Sequence, residues 1–120
     1  MAEHNELGKL GEQLAQKFLI KNGYEISETN WRCRKYEVDI IAIKDKILVF
    51  VEVKTRTPGL VSTPEDSMTK AKQKQLIGAA DVYIRERNIN LDARIDLISI
   101  YVKDKKYWIK HTENAITPRW

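Results

Sequence analysis

Five consecutive apolar residues, Ile47-Leu48-Val49-Phe50-Val51, run straight into Glu52-Val53-Lys54. An unbroken β-branched and aromatic run of this kind fits a strand covered on both faces, and so a central place in a sheet. Ionised groups at the end of such a strand are costly unless they are paired or bound to a metal. Glu52 and Lys54 stand two residues apart and share one side of the strand. Asp39 lies thirteen residues before Glu52, in a second apolar run over Glu37–Ile43. The polar turn Lys44-Asp45-Lys46 is short enough to join the two runs as an antiparallel hairpin, which brings Asp39 toward Glu52.

The rest of the chain arranges itself around that hairpin. Helical spacing predicts a helix over 5–21, with Leu7, Leu10, Gly11, Leu14, Ala15, Phe18 and Leu19 on one stripe. Asn5 is its candidate cap and Asn22-Gly23 its stop. Tyr24–Arg34 reads as an irregular first strand and Ile47–Thr55 as the third. Pro58, Gly59 and Pro64 make residues 56–68 a loop with room for one short helical turn. A second helix is expected over Thr69–Arg87, burying Leu76, Ile77, Ala80, Tyr83 and Ile84. Strands over 93–102 and 107–111 follow, joined by a turn at 103–106, with a loosely held tail from Glu113. The order is α-β-β-β-α-β-β. A helix between strands three and four implies a parallel crossover, so this is an α/β chain with a mixed sheet.

Length and composition narrow the class. A chain of 120 residues, 42% hydrophobic, suits one domain with its core over about 5–112. Cys33 is the single cysteine and cannot form an internal disulfide, which fits a reducing, cytoplasmic setting. Glu3, Glu6, Glu12 and Lys17 interrupt any signal-peptide pattern, and no apolar run is long enough to span a bilayer. The net charge is −2 over residues 1–30, +4 over 31–75 and +2 over 76–120. The excess of positive charge near Glu52 favours a polyanionic partner over a membrane or a small-molecule cofactor.

Asp39 and Glu52, brought close, repel unless a cation or a proton lies between them. Magnesium, or manganese in its place, takes such oxygen ligands. Lys54 could then orient a water or stabilise charge on an attacked phosphate. A structural ion pair is the commoner explanation of an isolated Glu-x-Lys; Asp39, the apolar setting and the basic surroundings together favour the site. Glu12, one turn after Gly8, is a further candidate acid, since the bare Gly8 lets another group approach that helix face. Glu37 is a candidate auxiliary acid. Lys70, Lys72 and Gln73 crowd the start of the second helix, where phosphate is attracted. Arg32 and Arg34 flank Trp31 and could grip a nucleic-acid backbone while Trp31 either stacks on a base or anchors the core. Arg56 is a phosphate candidate. Asp96 reads as one half of a structural pair, and His4 and His111 as isolated.

The pattern Gly8-x-x-Gly11-Glu12-x-x-Ala15, Asn30-Trp31-Arg32, Glu37-Val38-Asp39-Ile40-Ile41-Ala42, Val49-Phe50-Val51-Glu52-Val53-Lys54-Thr55-Arg56, Lys72-Gln73 and Arg94-Ile95-Asp96 resembles the YraN family of small bacterial nuclease-like proteins. That family is similar to archaeal Holliday junction resolvases, with a restriction-endonuclease-like fold. The resemblance covers residues from about 7 to about 100. It implies an α-β-β-β-α-β core and a PD-(D/E)-x-K type of site. Asp39, Glu52 and the main-chain carbonyl of Val53 would be metal ligands, and Lys54 would position the nucleophilic water. Glu12 would match the acid that resolvase-like members carry on their first helix, and Gln73 a position on the second helix. Val38 stands where a strict PD motif has proline, a frequent departure in this fold.

These features make a magnesium-dependent nuclease acting on DNA, including branched or junction structures, the leading expectation. A symmetric dimer fits an enzyme that cuts both strands. The alternatives are a non-catalytic DNA-binding module on the same fold and an interaction subunit that needs a partner.

Overall fold

The computed structural model describes residues 2–56 and 68–116, apart from the side chains of 2–5. The elements are α1 (Ala2–Lys21), β1 (Glu25–Cys33), β2 (Tyr36–Lys44), β3 (Ile47–Arg56), α2 (Lys70–Glu86), β4 (Asp92–Lys103) and β5 (Lys106–Ile116). Their order is the expected one. The loop expected over 56–68 lies almost wholly outside the described residues, as does any cap by the Asn5 side chain. No helix among the described residues is long and apolar enough to cross a membrane.

The five strands lie in the spatial order β1-β2-β3-β4-β5. β3 and β4 are parallel, from Ile47↔Asp92 to Arg56↔Tyr101, and the other neighbours are antiparallel. The parallel pair follows from the α2 crossover, and the antiparallel pairs from tight turns. Asp45 and Lys46 both have positive φ (52° and 63°), as do Asp104 and Lys105 (51° and 63°). Two successive left-handed residues match the right-handed twist of the strands they join.

β3 is covered on both faces. Leu48 and Phe50 join the cluster under α2, with Trp31, Val38, Ile41, Leu76, Ala80, Tyr83, Ile95 and Leu97. Val49 and Val51 join the cluster under α1, with Ala15, Leu19, Ile40, Ala42, Ile98 and Ile100. α1 ends at Gly23 (φ 88°), where the Tyr24 N–H donates to the Leu19 carbonyl at 2.9 Å and satisfies the last turn. Thr69 caps α2, its hydroxyl accepting from the Lys72 N–H at 3.2 Å.

Four expectations need correction. Leu10 is 41% exposed and drops out of the expected α1 stripe, whose buried members are Gly11, Ala15 and Leu19. Strand alternation in the sequence sets Val38 and Ile40 on one face and Glu37 and Asp39 on the other, but Val38 and Ile40 pack into opposite clusters, so the alternation fails across Asp39. The break has a local cause: Asn30 adopts φ 50° between the β1 residues that pair with Ile40 and Val38. β5 continues well past His111, and the stretch from Glu113 is held by burial of Ile116 and by Asp96. His111 is not isolated.

Asp96 explains that last correction. It is fully buried on β4, yet its carboxylate meets Arg94 through two hydrogen bonds (2.9 and 3.0 Å), His111 Nε2 at 2.7 Å and the Asn114 N–H at 3.1 Å. Arg94 also donates to the Tyr24 hydroxyl at 2.7 Å. Burial alone would raise the proton affinity of Asp96, but these donors outweigh it and hold the carboxyl below its ordinary range. The network ties β4, β5 and the start of β1 together beneath α1.

α1 sits close against β3 because Gly11 has no side chain. A Cβ there would overlap Thr55 Oγ1 and stand 3.1 Å from Thr55 Cβ, which rotation of Thr55 cannot relieve. Nothing lies within 4 Å of a Cβ at Gly8. Gly11→Ala is therefore expected to cost roughly 1–3 kcal/mol by overpacking. Gly8→Ala is expected to be neutral or to stabilise by up to about 1 kcal/mol through helix propensity. Thermal denaturation of both variants checks this, and equal effects would contradict the close approach at Gly11.

Candidate active site

The ladder between β2 and β3 ends at Ile40↔Val51. Past that point the strands no longer exchange backbone hydrogen bonds, and Asp39 takes over: its Oδ2 accepts the Val53 N–H at 2.8 Å. A backbone donor at the end of a buried strand is thus satisfied by a carboxylate. The same bond fixes Asp39 beside β3.

Glu52 is the next residue inward and is only 4% exposed. Its Oε2 lies 3.1 Å from Lys72 Nζ and 3.7 Å from Lys54 Nζ. Burial and the charge of Asp39 push its proton affinity up, against the pull of the two lysines, to a pKa of about 7. Glu12 reaches the site from α1, directly after Gly11. It is hydrogen-bonded to Asp39 and to Asn30, and burial followed by the Asp39 charge raises its proton affinity above the ordinary carboxylate range. The charge of Asp39 thus opposes the ionisation of both Glu12 and Glu52, and two ammonium groups stand beside Glu52 where two neighbouring strands part.

The structure thus brings together Glu12, Asp39, Glu52 and Lys54. Lys72, expected at a phosphate-facing helix end, instead contacts Glu52 more closely than Lys54 does. Gln73 is nearby but donates to the Met68 carbonyl at 2.8 Å. Lys70 is exposed at the start of α2 and Arg34 at the turn after β1, while Arg56 is partly buried at the end of β3. Arg32 makes an exposed ion pair with Glu37 at 3.5 Å. The stacking role for Trp31 is excluded: the ring is 8% exposed and packs edge-on against Tyr83, centroids 5.3 Å apart.

The oxygen donors suit a hard cation such as magnesium. Among the described residues no group of three His, Cys, Asp or Glu side chains is disposed to hold a metal ion. The set expected from sequence needs only two carboxylates, Asp39 and Glu52, with the Val53 carbonyl. Burial and then repulsion from Asp39 raise Glu52 and Glu12, and a cation placed beside them would relieve the repulsion.

A family model described as Uncharacterised protein family UPF0102 matches residues 11–100. A UPF0102 protein of Flavobacterium psychrophilum is 47% identical over 115 residues, covering 96% of this chain and 97% of its own length. One from Flavobacterium johnsoniae is 44% identical over 119 residues, covering 96% and 97%. One from Parabacteroides distasonis is 41% identical over 115 residues, covering 96% and 95%.

A raised carboxyl pKa contributes stability below its unfolded value of 4.5 and loses it as pH climbs through about 7. Glu52→Gln keeps the shape and removes the ionisation. In EDTA the variant is expected to gain stability over the parent as pH rises from 5 to 8, by on the order of 2 kcal/mol. Urea denaturation at both pH values measures the gap, and a gap that does not grow contradicts the strained ionisation of Glu52.

Proposed function

The chain belongs to the UPF0102 (YraN) family, and we propose that it is a metal-dependent nuclease hydrolysing phosphodiester bonds in DNA, branched and junction structures included. One observation carries this reading: Glu52, buried to 4% exposure in the central strand just past the last β2 ladder pair, faces both Asp39 and Lys54. Structural carboxylates are normally given enough donors to stay ionised, as Asp96 is. Glu52 is not, despite two lysines, and that deficit suits a site kept for a cation and a phosphate.

Asp39, Glu52 and the Val53 carbonyl would hold magnesium or manganese. Bound there, the ion would supply Lewis acidity at the phosphoryl oxygens. Asp39 is anchored for that task by the Val53 N–H. Lys54 orients the attacking water and offsets charge developing on the phosphate. Glu12, with its raised proton affinity, would take the water's proton while the P–O bond to the leaving oxygen breaks. Arg32, Arg34, Arg56 and Lys70 are the cations proposed to meet neighbouring phosphates.

One contact favours a second reading. Lys72 stands closer to Glu52 than Lys54 does and supplies a protein cation where a metal would otherwise sit. A non-catalytic DNA-binding module would show that arrangement in its working state.

Labelled four-way junction, flap, single-stranded and duplex DNA, incubated in magnesium, manganese and EDTA, separates the two. The nuclease reading expects metal-dependent cleavage, lowered at least 100-fold in Asp39→Ala and in Lys54→Ala with the circular-dichroism spectrum unchanged. Full activity in either variant sinks the site assignment. Salt-sensitive binding without cleavage in either metal establishes the binding module.

A further inference from the structure

The apolar cluster beneath α2 reaches Phe50 on β3 and Leu97 on β4 and goes no further along those strands. Beyond it the same sheet face changes character. Val53, Ile98, Ile100, Val102 and Ile109 belong to the α1-side cluster, and Thr55 meets α1 at Gly11. The residues that alternate with them therefore share the opposite face. Strand register sets them in rows: Lys54 beside Ser99 and Lys110, then Arg56 beside Tyr101 and Trp108, then Lys103 beside Lys106. Successive rows are about 6.6 Å apart.

Tyr101 and Trp108 stack with ring centroids 5.7 Å apart and planes 14° from parallel, and Trp108 remains 48% exposed. A stacked aromatic pair framed by cations, starting one row from Lys54, has the makings of a single-strand platform.

We propose that this face holds an unpaired nucleic-acid strand, with a base stacked on Trp108 and successive phosphates at Arg56, Lys110 and Lys54, so that a phosphodiester is delivered to Glu52. The proposal rests on the reading of Asp39, Glu52 and Lys54 as a phosphodiester-processing site. An unpaired strand is the occupant because a base must expose its face to stack, and duplex bases have both faces covered by neighbours. A second copy of the chain fits poorly, since a two-fold pairing would set like charges opposite one another.

The test is fluorescence anisotropy of the full chain in EDTA, with end-labelled oligothymidylate and with blunt duplex of equal length. Single strand is expected to bind more tightly than duplex. Trp108→Ala should weaken single-strand binding roughly 5- to 150-fold, the range for loss of one stacked base. Trp108→Phe should restore most of it. Lys110→Ala should lower the slope of log K against log salt by about 0.7, which Trp108→Ala leaves alone. Single-strand binding by Trp108→Ala equal to the parent overturns the platform. So does loss of a dimer in that variant, seen by sedimentation, without loss of DNA binding. The cleavage assay separates the two readings: cleavage that depends on Lys54 alongside Trp108-independent binding removes only the platform. Trp108-dependent binding with no cleavage removes only the nuclease.

Discussion

Burial of β3 on both faces is the constraint from which the rest of the structure follows. A strand with Leu48 and Phe50 on one side and Val49 and Val51 on the other needs two covering layers, and the chain supplies one helix for each. It also needs two neighbouring strands, one antiparallel through a tight turn and one parallel through the α2 crossover. The strand leaves this enclosure at Glu52. There β2 parts from it, and a side chain, Asp39, replaces the missing ladder partner of Val53.

Two buried carboxylates show how the sheet treats charge in different ways. Asp96 is surrounded by Arg94, His111 and the Asn114 N–H, and it stays ionised. Glu52 has ammonium groups at 3.1 and 3.7 Å, yet faces Asp39 and gives up ionisation near neutrality. The first arrangement stabilises the fold at ordinary pH. The second withholds stability in the region where chemistry is proposed, the opposition of fold and function expected at a working site. The two networks lie on opposite faces of β4 and β3, so they can be altered independently.

The elements were legible in the sequence because each is marked by local chemistry: the period of the α1 stripe, Thr69 before α2, and the two-residue turns. The meeting of Asp39 with Glu52 was legible for the same reason, since a hairpin with a short turn fixes its own register. Legibility ended where tertiary contacts decide. Trp31 could not be assigned to core or surface before Tyr83 was known to stand over it. His111 looked isolated because its partner Asp96 lies fifteen residues away, across a bulge between β4 and β5. Lys72 read as part of a phosphate-facing helix end because nothing in its neighbourhood names Glu52. The alternation of Lys106, Trp108 and Lys110 was not singled out in the sequence. Its meaning depended on which face of β5 remains uncovered.

Gly11 joins two requirements that are usually separate. Its missing side chain lets α1 settle onto Thr55, and the next residue along the helix is Glu12. The depth at which the helix seats and the distance from which its acid reaches Asp39 are one variable, read at two adjacent codons. An atom added at position 11 therefore moves the helix contact with Thr55 and the adjacent acid Glu12 together. Gly8, one turn earlier with open space around it, is free to drift.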